Sequence, residues 1–232
     1  MKDTIYTIPI SEVFEPKEGC PICRMRDMLE ERSIEYIMGA AMMEPDVRVE
    51  TNRVGFCEDH LRRMLPRKNR LSIGLMFQSH LDYLRQEIIR AAAPARGKDP
   101  RTEKAKTAAE GCFVCSRIAQ SMDRMLDTTL RMWEKEESFR ALFSQQEFLC
   151  FSHYQRLLCA AQEKLGKKIY PAFSEAIGLL ALKKLDALKT DIDDFCNLFD
   201  YRSPASGPVP EHLRTSIERT AAFLSAREFL PK

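Results

Sequence analysis

Apolar positions in this chain recur mostly at steps of three and four residues, and the elements they predict are helices. From Cys23 to about Met43 the apolar side is Met25, Met28 or Leu29, Ile34, Ile37 and Met38, and Pro45 with Asp46 ends it. Residues 47–55 predict a loop that delivers Phe56 and Cys57. A second helix starts at Cys57 with Leu61, Met64 and Leu65 before Pro66, and a longer one covers residues 71–93. Ahead of these, residues 4–10 alternate weakly and predict a short extended arm limited by Pro9, with Ser11 as N-cap of a turn through Phe14. At the far end a helix is expected over residues 211–229, with Leu213, Ile217, Ala221 and Leu224 on one face.

The pattern also repeats. Leu81-Asp-Tyr-Leu-Arg-Gln-Glu-Ile88 aligns with Leu185-Asp-Ala-Leu-Lys-Thr-Asp-Ile192. Phe77, Leu81, Leu84 and Ile88 step by 4, 3 and 4, as do Ala181, Leu185, Leu188, Ile192, Phe195 and Phe199, the rhythm of helices packing lengthwise. The expected fold is all-α and duplicated, with a repeat over 1–93, a charged Pro- and Gly-containing linker over 94–110, a second repeat over 111–200, and a loop and helix over 201–232.

Each repeat carries a cysteine pair and a Cys-x2-His. Cys20-Pro-Ile-Cys23 and Cys57-Glu-Asp-His60 return as Cys112-Phe-Val-Cys115 and Cys150-Phe-Ser-His153, with 33 residues between the half-motifs in the first copy and 34 in the second. Three thiolates and one imidazole are the ligand set of a closed tetrahedral zinc site. Both half-motifs fall where a helix begins, and there free backbone N–H groups and the helix dipole favour a thiolate. Taken in chain order, Cys20, Cys23, Cys57 and His60 make one metal site and Cys112, Cys115, Cys150 and His153 the other, each stapling its own repeat. Two zinc ions per chain are expected. An iron–sulfur cluster and thiol–disulfide chemistry are the alternatives, although the spacing matches no ferredoxin or Rieske pattern and no βαβ unit accompanies the Cys-x2-Cys.

Cys159 and Cys196 lie outside the repeat and read as packing residues, and His80 and His212 read as a helix flank and a first-turn residue. Arg62, Arg63, Arg67, Lys68 and Arg70 follow the first Cys-x2-His, and Lys164, Lys167 and Lys168 follow the second. Such clusters can hold phosphate or nucleic acid, but 36 basic against 34 acidic residues is a mild balance, and a solvated helix face is the simpler reading. Nothing at the N-terminus resembles a signal peptide, and no run of 18 apolar residues predicts a membrane span. The expected compartment is therefore the reducing cytoplasm, where clustered cysteines point to metal. No Gly-rich phosphate loop and no G-x-S-x-G or H-E-x-x-H motif is present, so no catalytic residue is assigned and enzymatic activity is left open.

Gly19-Cys-Pro-Ile-Cys23, Gly55-Phe-Cys-Glu-Asp-His60 and their second copies resemble a bacterial family of uncharacterised proteins, a likeness that includes the opening Lys-Asp-Thr-Ile-Tyr. The second copy departs from the first at Phe113, in place of proline, and at Leu149, in place of phenylalanine. The expected function is a zinc-stabilised helical binding or adaptor protein with a protein or peptide partner. A redox protein built on the Cys3His centres and a nucleic-acid-binding regulator are the other readings. The sequence leaves the oligomeric state open.

Overall fold

Proline opens five of the helices found among the described residues. Its missing N–H is one of the donors a first turn cannot satisfy, and its fixed φ suits helix entry. The computed structural model describes residues 7–92, 94, 96–199 and 208–226, which form twelve α-helices and no strand. Three of the proline starts correct the sequence reading. Residues 8–10 belong to helix α1 (Ile8–Phe14), with Pro9 in its first turn and Ser11 inside it; residues 4–6 lie outside the described set. Pro45 starts α3 (Pro45–Val54), where a loop was expected. Asp46 in its first turn and Arg53 in its last complement the helix dipole, and Gly55 ends it at φ +61°. Pro100 starts α6 (Pro100–Glu110) inside the expected linker, capped by the Asp99 carboxylate, which accepts from the Arg101 N–H at 2.9 Å.

The remaining helices follow the expected order with shifted ends, except that α8 (Glu137–Ser144) stands where the second repeat was expected to have a loop: α2 (Pro21–Met38), α4 (Glu58–Met64), α5 (Arg70–Tyr83), α7 (Phe113–Lys135), α9 (Phe151–Lys164), α10 (Tyr170–Asn197), α11 (Glu211–Arg214) and α12 (Ser216–Ser225). A 3-10 turn over Ala40–Met43 follows α2, and a π-helical stretch over Leu84–Ile89 continues α5.

Contacts group the chain into two compact units, residues 26–122 and residues 1–25 with 123–232. Their boundaries fall inside α2 and α7, not in the 94–110 segment. In the first of these units Ile34, Ile37, Met38, Met64, Ile73 and Met76 pack with Cys112, Phe113 and Val114 into one core. The apolar side predicted for α2 is the buried one: Met25, Leu29, Ile34, Ile37 and Met38 are all buried. In the other unit an aromatic chain forms the core. Phe14 lies 5.1 Å from Phe139 and 5.5 Å from Phe143, and Phe173 lies 5.8 Å from Phe143 and 5.0 Å from Trp133. This packing docks α1 on helices more than a hundred residues away in sequence.

The seams on the long helices hold in part. α10 buries Phe173, Ile177, Leu180, Ala181 and Leu188 and leaves Leu185 exposed, as is Phe199 just beyond its end, while α5 buries Ile73 and Met76 and exposes Leu81. Ala181 and Leu188 of the expected seam are buried and Phe77 packs on the core, while the most enclosed residues lie toward the start of each helix, Phe173 and Ile177 on α10 and Ile73 and Met76 on α5. The C-terminal helix breaks at Thr215, burying Leu213, Ser216 and Phe223 and leaving Ile217 and Leu224 exposed; residues 227–229 of the expected helix lie outside the described set.

Candidate metal centres

All eight predicted ligands converge, but they pair across the repeats. Cys20, Cys23, Cys150 and His153 form one cluster, and Cys57, His60, Cys112 and Cys115 form the other, with the ligand atoms of each within 4.8 Å of one another. The chain-order pairing is thereby corrected: each centre joins the Cys-x2-Cys of one repeat to the Cys-x2-His of the other. We call them the outer centre (20/23/150/153) and the inner centre (57/60/112/115).

The lengths of the elements explain the crossing. α2 starts at the first cysteine pair and runs 18 residues, whereas the returning α3 has only ten. At 1.5 Å per residue the return falls well short of the outward run. His60 consequently meets α2 at Glu30, seven residues and two turns beyond Cys23, with Nε2 3.1 Å from Oε1. Cys57 thus never returns to Cys20. Its local partner is the segment entering α7. The Phe113 N–H donates to the Gly55 carbonyl at 3.0 Å, and Gly111 packs so tightly against α3 that a Cβ there would lie 2.9 Å from the Val54 carbonyl oxygen. These two glycine-bearing segments set Cys57 beside Cys112 and Cys115.

At the outer centre, the entry to α2 is fixed to the turn before α9. The Gly19 N–H donates to Glu147 Oε2 at 2.6 Å. Arg24 donates from Nε to the Val13 carbonyl and from Nη2 to Gln146 Oε1, each at 2.9 Å, and Gln146 Nε2 donates to the Phe14 carbonyl at 2.7 Å. Arg24 and Gln146 are supporting residues that no sequence motif marks.

The two centres share one geometry. Cys57 is the N-cap of α4 at φ −73°, ψ 165°, and Cys150 is the N-cap of α9 at φ −70°, ψ 157°. Neither sulfur caps its own helix. Both histidines present Nδ1 to the sulfurs: His60 lies 3.1, 3.3 and 3.4 Å from Cys57, Cys112 and Cys115, and His153 lies 3.1, 3.4 and 3.6 Å from Cys150, Cys23 and Cys20. One sulfur pair in each cluster, Cys57–Cys115 and Cys23–Cys150, stands 3.8 Å apart. None of these cysteines is in a disulfide.

Left to themselves, three sulfurs and an imidazole this close share little charge. Burial pushes the Cys112 thiol up, but the hydrogen bond to His60 and those from backbone N–H groups outweigh it and hold it down to about 6. Burial opposes the charge on His60 as well, yet its contacts with Cys112, Glu30 and Cys57 push it up to about 10. Burial and repulsion by Cys112 raise Cys115 above the ordinary thiol range. In the outer centre burial works against the Cys20 thiolate, and hydrogen bonds from Cys150, Cys23 and His153 overcome it. Hydrogen bonding to Cys20 leads the rise of Cys150 to about 12, and hydrogen bonds with Cys150 and Cys20 together with burial raise Cys23. Each cluster alone thus settles one thiolate, and a cation is what the other sulfurs lack.

A family model described as a family of unknown function (DUF6062) matches residues 1–229. The chain belongs to this family. No curated protein and no solved structure matches it. The other candidates of the DUF6062 chain are placed apart from the centres. Cys159 and Cys196 are exposed, which corrects the packing reading, and His80 holds the Asn52 carbonyl through Nδ1 at 2.8 Å. Three residues of the basic cluster are matched by carboxylates: Arg62 by Glu58, Arg63 by Glu30 and Arg67 by Glu31, at 2.6, 2.9 and 2.6 Å. Lys164 pairs with Asp127. Among the described residues no helix is long and apolar enough to cross a membrane.

Proposed function

We propose that both clusters hold zinc and that the DUF6062 chain is a zinc-stabilised helical binding or adaptor protein with a protein or peptide partner. The ligand spacing carries this reading. Tetrahedral zinc with bonds of about 2.3 Å to sulfur and 2.0–2.1 Å to nitrogen sets its sulfurs roughly 3.8 Å apart and each sulfur about 3.5–3.6 Å from the nitrogen. One sulfur pair at 3.8 Å in each cluster, sulfur–Nδ1 separations of 3.1–3.6 Å and all ligand atoms within 4.8 Å leave room for one ion. An iron–sulfur cluster interposes several irons and sulfides and needs its ligands farther apart than the 4.8 Å limit found here.

Four protein ligands close the tetrahedron, which is the arrangement of a structural site. The working surface then lies elsewhere, and a row of exposed leucines on α10, Leu179, Leu182 and Leu185, is one apolar face open to a protein partner. Pairing of Arg62, Arg63 and Arg67 with acids favours protein over nucleic acid. Six thiolate ligands fit a reducing, cytoplasmic setting.

Metal analysis of the purified full-length chain tests the reading. About two zinc ions per chain and no visible absorption are expected, whereas brown protein carrying iron and sulfide would overturn it. Tight DNA or RNA binding that weakens steeply with salt would overturn the choice of partner.

A further inference from the structure

The two centres bind the same ligand set but differ in what reaches them. At the outer centre Cys20 and Cys150 are buried at 4% and 1% exposure and Cys23 is half-buried, and Arg24 stands close enough to place a positive charge beside Cys20 and Cys23. At the inner centre Cys115 is exposed and Cys57 half-buried, and their sulfurs are 3.8 Å apart. The charge nearest its histidine is the Glu30 carboxylate, itself paired with Arg63. Zinc with three thiolates and an imidazole carries one net negative charge. Arg24 offsets part of it at the outer centre, where Glu18 and Glu147 also act on that arginine, and the Glu30–Arg63 pair adds no net positive charge at the inner one.

We infer that the inner centre is a peroxide-sensitive modification site, in which Cys115 is oxidised first, Cys57 resolves it, and zinc leaves while the outer centre keeps its ion. The inference rests on the zinc reading above. The exposed Cys115 thiolate attacks one oxygen of hydrogen peroxide, the O–O bond breaks, and the departing hydroxide takes a proton to become water. The neighbouring Cys57 thiolate then attacks the Cys115 sulfenic sulfur, forming the S–S bond and expelling a second hydroxide, which is protonated to water. Two thiolates, one peroxide and two protons give one disulfide and two waters, with the thiolates oxidised and the peroxide reduced. Zinc, left with only Cys112 and His60, is released.

The sulfurs need only close from 3.8 Å to about 2.05 Å. The resulting bond links the N-cap of α4 to the first turn of α7, the same two points the ion holds. Oxidation therefore exchanges one clamp for another, and the Phe113–Gly55 hydrogen bond keeps the segments in register.

The test uses the full chain with the exposed Cys159 and Cys196 replaced by serine, loaded with zinc and counted, then treated with hydrogen peroxide. Released zinc is followed with a chromogenic chelator, and disulfides are mapped by mass spectrometry after alkylation of free thiols; the unsubstituted chain is mapped in parallel. The expected result is two zinc ions at the start, loss of one in a first phase, and a Cys57–Cys115 disulfide with Cys20, Cys23 and Cys150 unmodified. A chain that takes up fewer than two zinc ions overturns the zinc reading and this inference together. A chain with two ions that releases both in one phase, or oxidises Cys20, Cys23 or Cys150 first, overturns this inference alone. A Cys112–Cys115 disulfide overturns the assignment of Cys57 as the resolving thiol.

Discussion

His60 and His153 both turn Nδ1 toward their sulfurs, but among the described residues only His60 has a carboxylate behind it. The Glu30 oxygen lies 3.1 Å from Nε2, to one side of the N–H axis, and Arg63 holds the other carboxylate oxygen at 2.9 Å. Counted from the second cysteine of each pair, the residue matching Glu30 in the other repeat is Met122, and among the described residues no carboxylate pairs with His153. A carboxylate in this position orients the ring and raises its basicity toward the metal. Glu30→Gln is therefore expected to weaken zinc binding at the inner centre roughly 10–100-fold and leave the outer centre unchanged, read by chelator competition. Equal weakening of both sites, or of neither, would refute this role. The signal was present in the sequence, since Cys23, Asp27, Glu30 and Ile34 step by 4, 3 and 4 along one side of α2, but nothing there said which distant histidine would face the acid. Protonation gives a second expectation. From about pH 6 to 10 the chelator-stripped inner cluster pairs a Cys112 thiolate with a His60 imidazolium, while Cys115 stays protonated. Zinc must displace the His60 and Cys115 protons, so affinity rises with pH across that range and falls faster below pH 6, where Cys112 also takes a proton. Titrating zinc in buffers of different ionisation enthalpy at neutral pH should show more than one proton released per ion, and pH-independent affinity would contradict it.

At the level of elements, two of the helices that escaped the sequence reading, α3 and α6, have little apolar surface, whereas α1 and α8, missed as well, bury Phe14, Phe139 and Phe143. α6 buries no residue fully; its Ala105, Ala108 and Ala109 line an apolar cleft of about 220 Å³ with Leu84, Ile88 and Ile89 of the π-helical stretch. Alanines at helical spacing carry weak periodicity, so the charged residues between them read as a linker. The cap signals at Asp99-Pro100 and Glu44-Pro45 were legible as helix starts, and proline's role as a breaker hid them. α6 matters to the inner centre because it delivers Gly111 to α3. Gly111→Ala would push a methyl group against the Thr107 and Val54 carbonyls, backbone that cannot step aside. We expect a loss of about 1–3 kcal/mol in unfolding free energy, the usual cost of overpacking, together with weaker zinc binding at the inner centre only. Denaturant unfolding with metal analysis checks it, and an unchanged midpoint with both ions retained would contradict the packing argument.

For the whole molecule, the duplicated motif revealed which residues gather but not which copies meet. Nearly equal gaps of 33 and 34 residues favoured pairing in chain order, and the lengths of α2 and α3, set by tertiary packing, decided otherwise. Chain-order pairing would let Cys57→Ser release the first cysteine pair and loosen the N-terminal repeat. The crossed pairing predicts something different. Cys57→Ser should leave Cys20 and Cys23 ligated and lower amide protection near Gly111 and the first turn of α7. Cys150→Ser should free the Cys20–Cys23 turn, more than 120 residues away in sequence, and with it the register of α1. Phe14 would still pack on Phe139 and Phe143, so α1 should exchange faster without the unit unfolding outright. Hydrogen exchange on the two variants, each with its zinc content measured, separates the arrangements. Faster exchange at residues 8–23 in Cys57→Ser, with Cys150→Ser unaffected there, would restore the chain-order sites. The reverse pattern means that each zinc ion binds one repeat to the other, so neither repeat alone contains a complete site.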